Sequence, residues 1–281
     1  MKTRRTITIR KSIGLLRYIP LVLWVAFWCA ALGWIIAASF STTREIFSNS
    51  VLASGFHLEN YTDAWKYNNV STYFKNSLMV TGISCVLVLL IACPASYVLA
   101  KKKFFGERLI MNSTVTAMSI PQVMLIIPIY IWFIKAKLVG HLITLIILYT
   151  TLNVPYTVFY MTAFFSTIPS AFTEAAMIDG CNPVQTYFKI VFPIMKPTAI
   201  SVAILETMWV WNDYLLPYLV LKINKYKTIQ IAIQYLKGGY GAIDMGAMMA
   251  MIVLAIIPII LFYGFCQKYI IEGVISGAVK G

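Results

Sequence analysis

The sequence is poor in charge and nearly empty of the usual catalytic chemistry. Only 12% of its 281 residues are Asp, Glu, Lys or Arg, while 60% are apolar. Soluble domains carry about 25% charged and about 45–50% apolar residues. A water-soluble fold of this composition would expose far too much apolar surface, and the same excess excludes a disordered chain. Acids are scarcer than bases, 10 against 23, for a net charge of +13. The bases sit at the ends of apolar runs, where membrane topology places them, so no nucleic-acid partner is expected. Five cysteines, Cys29, Cys85, Cys93, Cys181 and Cys266, make no CxxC pair. Four lie in apolar stretches, where cysteine acts as a small hydrophobe, so neither a disulfide framework nor a metal site is expected. His57 and His141 are the two histidines; they fall in loops without an acidic or cysteine partner at ligand spacing, and read as solvated. GxxxxGK[ST], HExxH, GxSxG and a glycine-rich dinucleotide turn are all missing. Serine chemistry has no base to support it. These absences exclude an enzyme and any cofactor of its own, and leave an integral membrane protein of one domain.

What is present is a series of long apolar runs. A spanning helix needs about 20 mainly apolar residues. Tyr18–Phe40, Ser77–Ala100, Leu109–Ile134, Leu142–Ile168 and Met245–Gln267 meet this with no charge, and Thr198–Leu221 meets it with Glu206 and Asp213 inside. Short alternating strands, the mark of a membrane barrel, are lacking. The expected fold is therefore an all-α polytopic membrane protein of six transmembrane helices. The first run follows a basic segment (Lys2, Arg4, Arg5, Arg10, Lys11, Arg17) and is longer than a signal-peptide core, so it is expected to stay as an uncleaved helix. With both termini inside, 14 of the 23 basic residues fall on the inner side. The outer segment Lys222–Asp244 is itself basic, through Lys222, Lys225, Lys227 and Lys237. The first helix usually dominates orientation, and its contrast, six bases against Arg44, favours inside termini. Each run carries proline, among them Pro20, Pro94, Pro121, Pro128, Pro155, Pro217 and Pro258. Membrane helices tolerate proline, which here means either simple bends or hinges.

The inner stretch Ser166–Pro197 reads as two short helices. Ser170 is placed to cap the first, over Ala171–Asp179. Gly180 then stops it, because glycine takes the left-handed conformation without strain. Asn182 caps a second helix with Pro183 at its first position, running to about Phe192 before Pro193. On the first helix Phe172, Ala175, Ala176 and Asp179 fall at i, i+3, i+4 and i+7 and share a face. Glu174 lies on another side and offers a carboxylate to a cation. Two acids and few bases distinguish this element from a lipid-surface helix.

Glu174-Ala175-Ala176, Asp179-Gly180, Ile190, Pro193 and Pro197 together resemble the EAA loop of ABC importer permeases. The fuller EAAxIDG and PxxKP strings resemble the carbohydrate-uptake branch, in the subunit type of the maltose transporter's smaller permease. Trp211-Asn212-Asp213-Tyr214 with Pro217 resembles the WND…P segment of that branch, and Gly277-Ala278-Val279-Lys280-Gly281 its GAVKG ending. Cys181 stands where the branch commonly has a small residue such as Ala, a departure conservative in size. The resemblance implies the type I importer permease fold with both termini cytoplasmic and a coupling helix between helices 4 and 5. It implies one permease domain over 1–281, with a core at about 72–267. It also implies a separate ATPase dimer that docks the loop through Phe172, Glu174, Ala175, Ala176, Asp179 and Gly180. A sister permease, an extracytoplasmic solute-binding protein and a sugar substrate complete the implied system, in the cytoplasmic membrane.

Charged groups inside spans are rare and face a cavity or the bundle interior. Glu206 and Asp213, seven apart, point to one side, with Trp211, Tyr214 and Tyr218 as a neighbouring aromatic stripe. Together with Asn212 they form a candidate translocation pathway, since acids, amides and aromatic faces suit a sugar. The aromatic stripe reads equally as an interfacial belt. Permeases for polyols or glycerol phosphate, and an ion-coupled transporter, are the alternatives; no inverted repeat supports the last.

Overall fold

A computed structural model describes residues 18–67, 69–222, 225–235 and 244–278. The basic segment Lys2–Arg17, Lys237 and the closing Val279-Lys280-Gly281 lie outside these residues. Among the described residues every regular element is helical. Five helices are long and apolar enough to cross a membrane: Ile19–Ala38, Val70–Lys101, Leu142–Thr167, Pro183–Asn212 and Met245–Tyr269, the last within a helix Met245–Ala278. A bent pair, Glu107–Ser119 and Gln122–Lys135, makes a sixth if counted as one span. The chain is thus a polytopic helical protein with five to six candidate spans.

Two expected boundaries are corrected. Leu109–Ile134 is not one helix: it breaks at Ile120–Pro121, and its halves bend by 99°. Proline disfavours the helical conformation of the residue before it, and Ile120 is extended, with φ −80° and ψ 119°. The fifth span is displaced along the chain toward the preceding loop, running from Pro183 to Asn212 and stopping well before Leu221. The second loop helix does not end before Pro193 but continues into this span. A five-residue π turn, Tyr187–Val191, precedes Pro193, and Phe192 N–H reaches back to the Tyr187 carbonyl. This wider turn carries the prolines without a break.

The chain divides into two compact units. One comprises residues 1–68 and 236–254. Its helix Ile19–Ala38 is apolar all round and buries only Ala38 within the chain, as a lipid- or partner-facing helix does. A capping box of Thr42 and Glu45 starts the short helix Thr43–Phe47. The Glu45 carboxylate also accepts from the Ser54 amide and hydroxyl. Backbone N–H of Thr42 first, then the Ser54 groups, hold its pKa down to about 2. His57 is not the solvated lone residue expected: Nδ1 pairs with Glu59, and Nε2 stands 2.8 Å from Ser54 Oγ. Serine therefore does have a base within reach. Because Glu45 holds the Ser54 hydroxyl, this Ser–His–Glu series staples a loop and presents no free nucleophile.

The second unit comprises residues 69–235 and 255–281. Its centre is the pair Val70–Lys101 and Leu142–Thr167, with Phe192–Asn212 packed on both. Ser84, Val88, Ala92 and Ser96 recur every four residues and are all buried. Small residues at this spacing let membrane helices approach closely, where packing and interhelical hydrogen bonds replace the hydrophobic effect. Ser96 Oγ donates to the Ala92 and Val158 carbonyls, at 2.6 and 3.2 Å. Pro94, Pro155 and Pro258 sit inside continuous helices.

Candidate functional site

Two places in the second unit stand out, a loop that is too apolar for water and a polar cluster inside the spans. The loop helix is Ser170–Ile178. Its N-cap position is Pro169, and Ser170 makes no capping bond; with the helix starting one residue earlier than expected, Ser170 is its first residue, and its carbonyl accepts from Thr173 Oγ1 at 2.7 Å. Gly180 has φ +78°, the left-handed region, and an added Cβ there meets nothing within 4 Å. Asn182 and Gln185 form a reciprocal capping box, at 2.8 and 3.0 Å, and Pro183 fills the first helical position.

This geometry separates the expected shared face. Ala176 is 1% exposed and, with Thr173, turns toward the chain's own core. The loop helix rests on the π turn at Tyr187–Val191, and that contact takes Ala176 away from any outward face. Phe172, Glu174, Ala175, Asp179 and Gly180 remain exposed. Around them Phe172 is 49% exposed, Ile178 87%, and Met177, Val184 and Phe188 are also open. Glu174 makes no side-chain hydrogen bond or ion pair among the described residues.

Glu206 is 3% exposed. One carboxylate oxygen accepts from Thr157 Oγ1 on the fourth spanning helix; the other, Oε2, has no partner. It borders a cavity of about 440 Å³ lined in part by Gln122, Asn153, Tyr156 and Trp209. Asp213 faces the same fourth helix, accepting from Tyr149 Oη at 2.8 Å. Its other oxygen accepts from Leu215 N at 2.9 Å, so it also caps the short helix Leu215–Val220. The seven-residue spacing therefore does bring both acids to one neighbour.

The aromatic stripe is divided. The fifth helix ends at Asn212, and the chain turns at Asp213 and Tyr214. Trp211, 4% exposed, donates Nε1–H to the Ala255 carbonyl at 3.2 Å and lies against Phe74. Beyond the turn Tyr214 stacks on Tyr218, and Tyr218 on Tyr235. Asn212 is exposed and donates to the Met208 carbonyl at 2.7 Å; with Asp213, Met208 and Trp209 it lines an open hollow. Sequence reasoning missed Trp209, which borders both the cavity and the hollow, and the partners on the fourth helix. A signal was there: Tyr149, Asn153 and Thr157 recur at i, i+4 and i+8, one polar face in a charge-free span.

The arrangement can hold hydroxyl-rich or dipolar solutes but contains no nucleophile–base pair aimed at a cavity. Among the described residues no cluster of His, Cys, Asp or Glu could hold a metal ion.

Comparison with known proteins agrees. Residues 92–276 match the family described as binding-protein-dependent transport system inner membrane component. The diacetylchitobiose uptake system permease protein NgcG of Streptomyces coelicolor is 31% identical over 262 residues, 92% of this chain and 87% of that protein. The probable starch degradation products transport system permease protein AmyC of Thermoanaerobacterium thermosulfurigenes is 32% identical, covering 90% and 92%. A solved bacterial ABC transporter involved in the import of the acidic polysaccharide alginate contains a chain of like fold, with a TM-score of 0.79 at 20% identity, over 92% of this chain and 96% of that one. The family match covers most of the chain, and the permeases align along nearly all of it: this protein belongs to the binding-protein-dependent transport system inner membrane components, membrane permeases that are not themselves catalytic.

Proposed function

We propose that this permease is one membrane subunit of a carbohydrate importer of the ATP-binding-cassette class. The observation that carries the reading is the loop at residues 170–182. It is held in shape by local contacts, yet it presents Phe172, Met177 and Ile178 with an unpaired Glu174. An exposed apolar patch of this kind marks a protein-docking surface. The chain has no phosphate-cradling loop of its own, so the occupant of that surface is a separate ATPase dimer. Its closure moves the loop as a rigid body and switches the spans between outward and inward access. Phe172, Glu174, Ala175, Asp179 and Gly180 are the docking residues, and Ala176 seats the helix beneath them. The N-terminus and C-terminus are cytoplasmic, the whole chain 1–281 acts as one permease domain with its core at about 72–267, and a sister permease supplies the other half of the pathway.

The solute is a sugar or oligosaccharide, brought by an extracytoplasmic binding protein. Relatives whose names specify diacetylchitobiose and starch degradation products support this. So does the chemistry beside Glu206: a free carboxylate oxygen and two amides for hydroxyls, and Tyr156 and Trp209 for the C–H faces of a ring. Glu206, Asn212, Asp213 and Trp209 mark the pathway, with Tyr214 and Tyr218 at its outer end and Trp211 bracing it from behind. Disrupting the gene is expected to impair growth on a sugar as sole carbon source. Loss of amino-acid or peptide uptake with all sugars unaffected overturns the assignment. Cysteine probes test the orientation independently: one at the exposed Leu58 reacts from outside and one at Asn182 does not, and outside labelling at Asn182 overturns the docking loop.

A further inference from the structure

The cavity beside Glu206 is unbalanced in charge and in hydrogen-bonding groups. Its polar wall is Glu206 with the amides of Gln122 and Asn153 and the rings of Tyr156 and Trp209; among the described residues no Lys, Arg or His borders it. Donors near the carboxylate are already spent. Thr157 gives its hydroxyl to Glu206 Oε1, and Asn153 Nδ2 donates to the Tyr149 carbonyl at 3.0 Å. Acceptor capacity is left over: Glu206 is 3% exposed, yet its Oε2 has no hydrogen-bond partner. A buried carboxylate ordinarily has a cation or several donors around it.

An anionic group entering this cavity would leave water without meeting a cation, which is costly. It would also stand beside a like charge, in surroundings where charges act more strongly than in water. A hydroxyl brings a donor to the acceptor-rich wall. A protonated amine brings donors and the missing countercharge, and Tyr156 and Trp209 supply aromatic rings that attract a cation. We infer that Glu206 is a specificity-determining residue that gives the cavity a charge preference: it admits neutral and amine-bearing saccharides and turns away carboxylated or phosphorylated ones. The inference rests on the reading of this cavity as part of the solute pathway, and it narrows the solute within the sugar class.

The test reads charge at the cavity with reagents that are not sugars. Leu205 is 52% exposed and also borders the cavity. In the assembled transporter at about pH 8, where a thiol is partly ionised, Leu205→Cys is treated with trimethylammonium-ethyl or sulfonatoethyl methanethiosulfonate. Mass spectrometry follows modification of the peptide that carries residue 205. After division by each reagent's rate on a free thiol, the cationic reagent should react about tenfold faster or more. Glu206→Gln in the same background should bring that ratio within about threefold of unity. Equal rates with Glu206 in place overturn the proposal, and so does a preference that Glu206→Gln leaves unchanged. Failure of both reagents to react also overturns it, since the cavity is then closed to polar solutes. If Glu206→Gln fails to assemble, ionic strength decides: a preference lost at about 1 M salt belongs to surface charge and overturns the assignment, because buried charges are screened much less. The carbohydrate reading fails separately: a transporter that keeps this preference but supports growth on no sugar refutes that reading and retains the charge preference.

Discussion

The loop at residues 170–182 and the cluster around Glu206 lie on one continuous stretch of chain and violate opposite rules. The loop, outside the candidate spans, leaves Phe172, Met177 and Ile178 uncovered. The cluster, inside the spans, buries a carboxylate with one oxygen unpaired. In water an exposed apolar patch is the anomaly; in lipid a buried charge is. In the proposed function each is satisfied from outside the chain, the first by a docked protein and the second by a passing solute. The supports differ too. The loop is shaped by contacts a few residues apart, Gly180 and the Asn182–Gln185 box. The cluster is shaped by contacts dozens of residues apart, Thr157 to Glu206 and Tyr149 to Asp213.

The sharpest break in this comparison comes from the loop. Glu174→Lys and Gly180→Val are each expected to lower uptake by tenfold or more while leaving membrane insertion intact. Any Cβ at a left-handed glycine costs about 1–2 kcal/mol. The space around Gly180 is open, so the penalty is backbone strain alone and Gly180→Asn, which tolerates that conformation, should keep most activity. Transport and stimulated ATPase activity in vesicles of the full complex provide the measurement. Normal transport in both of the first two variants removes the coupling role.

The next effect belongs to the cluster. Glu206→Ala should reduce uptake about tenfold, equivalent to about 1.4 kcal/mol in the transport barrier, with ATPase stimulation less affected. Thr157→Val should do less, since a hydrogen bond between membrane helices averages about 0.6 kcal/mol. Equal losses of uptake and of ATPase stimulation in Glu206→Ala would place its role in structure rather than in the pathway. A smaller effect separates local from distant support: Asn182→Ala removes a cap worth about 0.5–2 kcal/mol. It should raise hydrogen exchange in residues 183–186 and leave the Tyr149–Asp213 contact undisturbed.

The smallest expected effect lies outside both regions. Glu45 is held at about 2, below its ordinary 4.5. A depressed carboxyl stabilises fully above its unfolded value and loses that contribution as pH falls through the folded one. Amide protection at Ser54 should therefore persist at pH 5 to 7, weaken below about pH 4.5 and be lost toward pH 2, and be missing at all these values in Glu45→Gln.

Legibility followed the reach of each signal. Gly180 and the Asn182 cap were readable because their causes lie within four residues. Ser170 was misplaced by one position, since Pro169 had already started the helix. The proline runs were ambiguous: Pro94, Pro155 and Pro258 stay inside helices while Pro121 stands at a 99° bend. The residue type is the same, but neighbouring helices decide whether the freed backbone groups are satisfied. Ala176 matched the outward face by periodicity and turned inward because the π turn lies under it.

Composition and hydropathy by themselves determined a membrane protein of about six helices, an apolar first span, two intramembrane acids and a capped inner loop. Each depends on the chain's own residues meeting lipid or water. Only the tertiary structure decided that Glu206 meets Thr157, that Asp213 meets Tyr149, and that Trp211 parts from Tyr214. The physical reason is that lipid and protein interior are equally apolar to a helix, so hydropathy carries no record of which side of a span faces a neighbour.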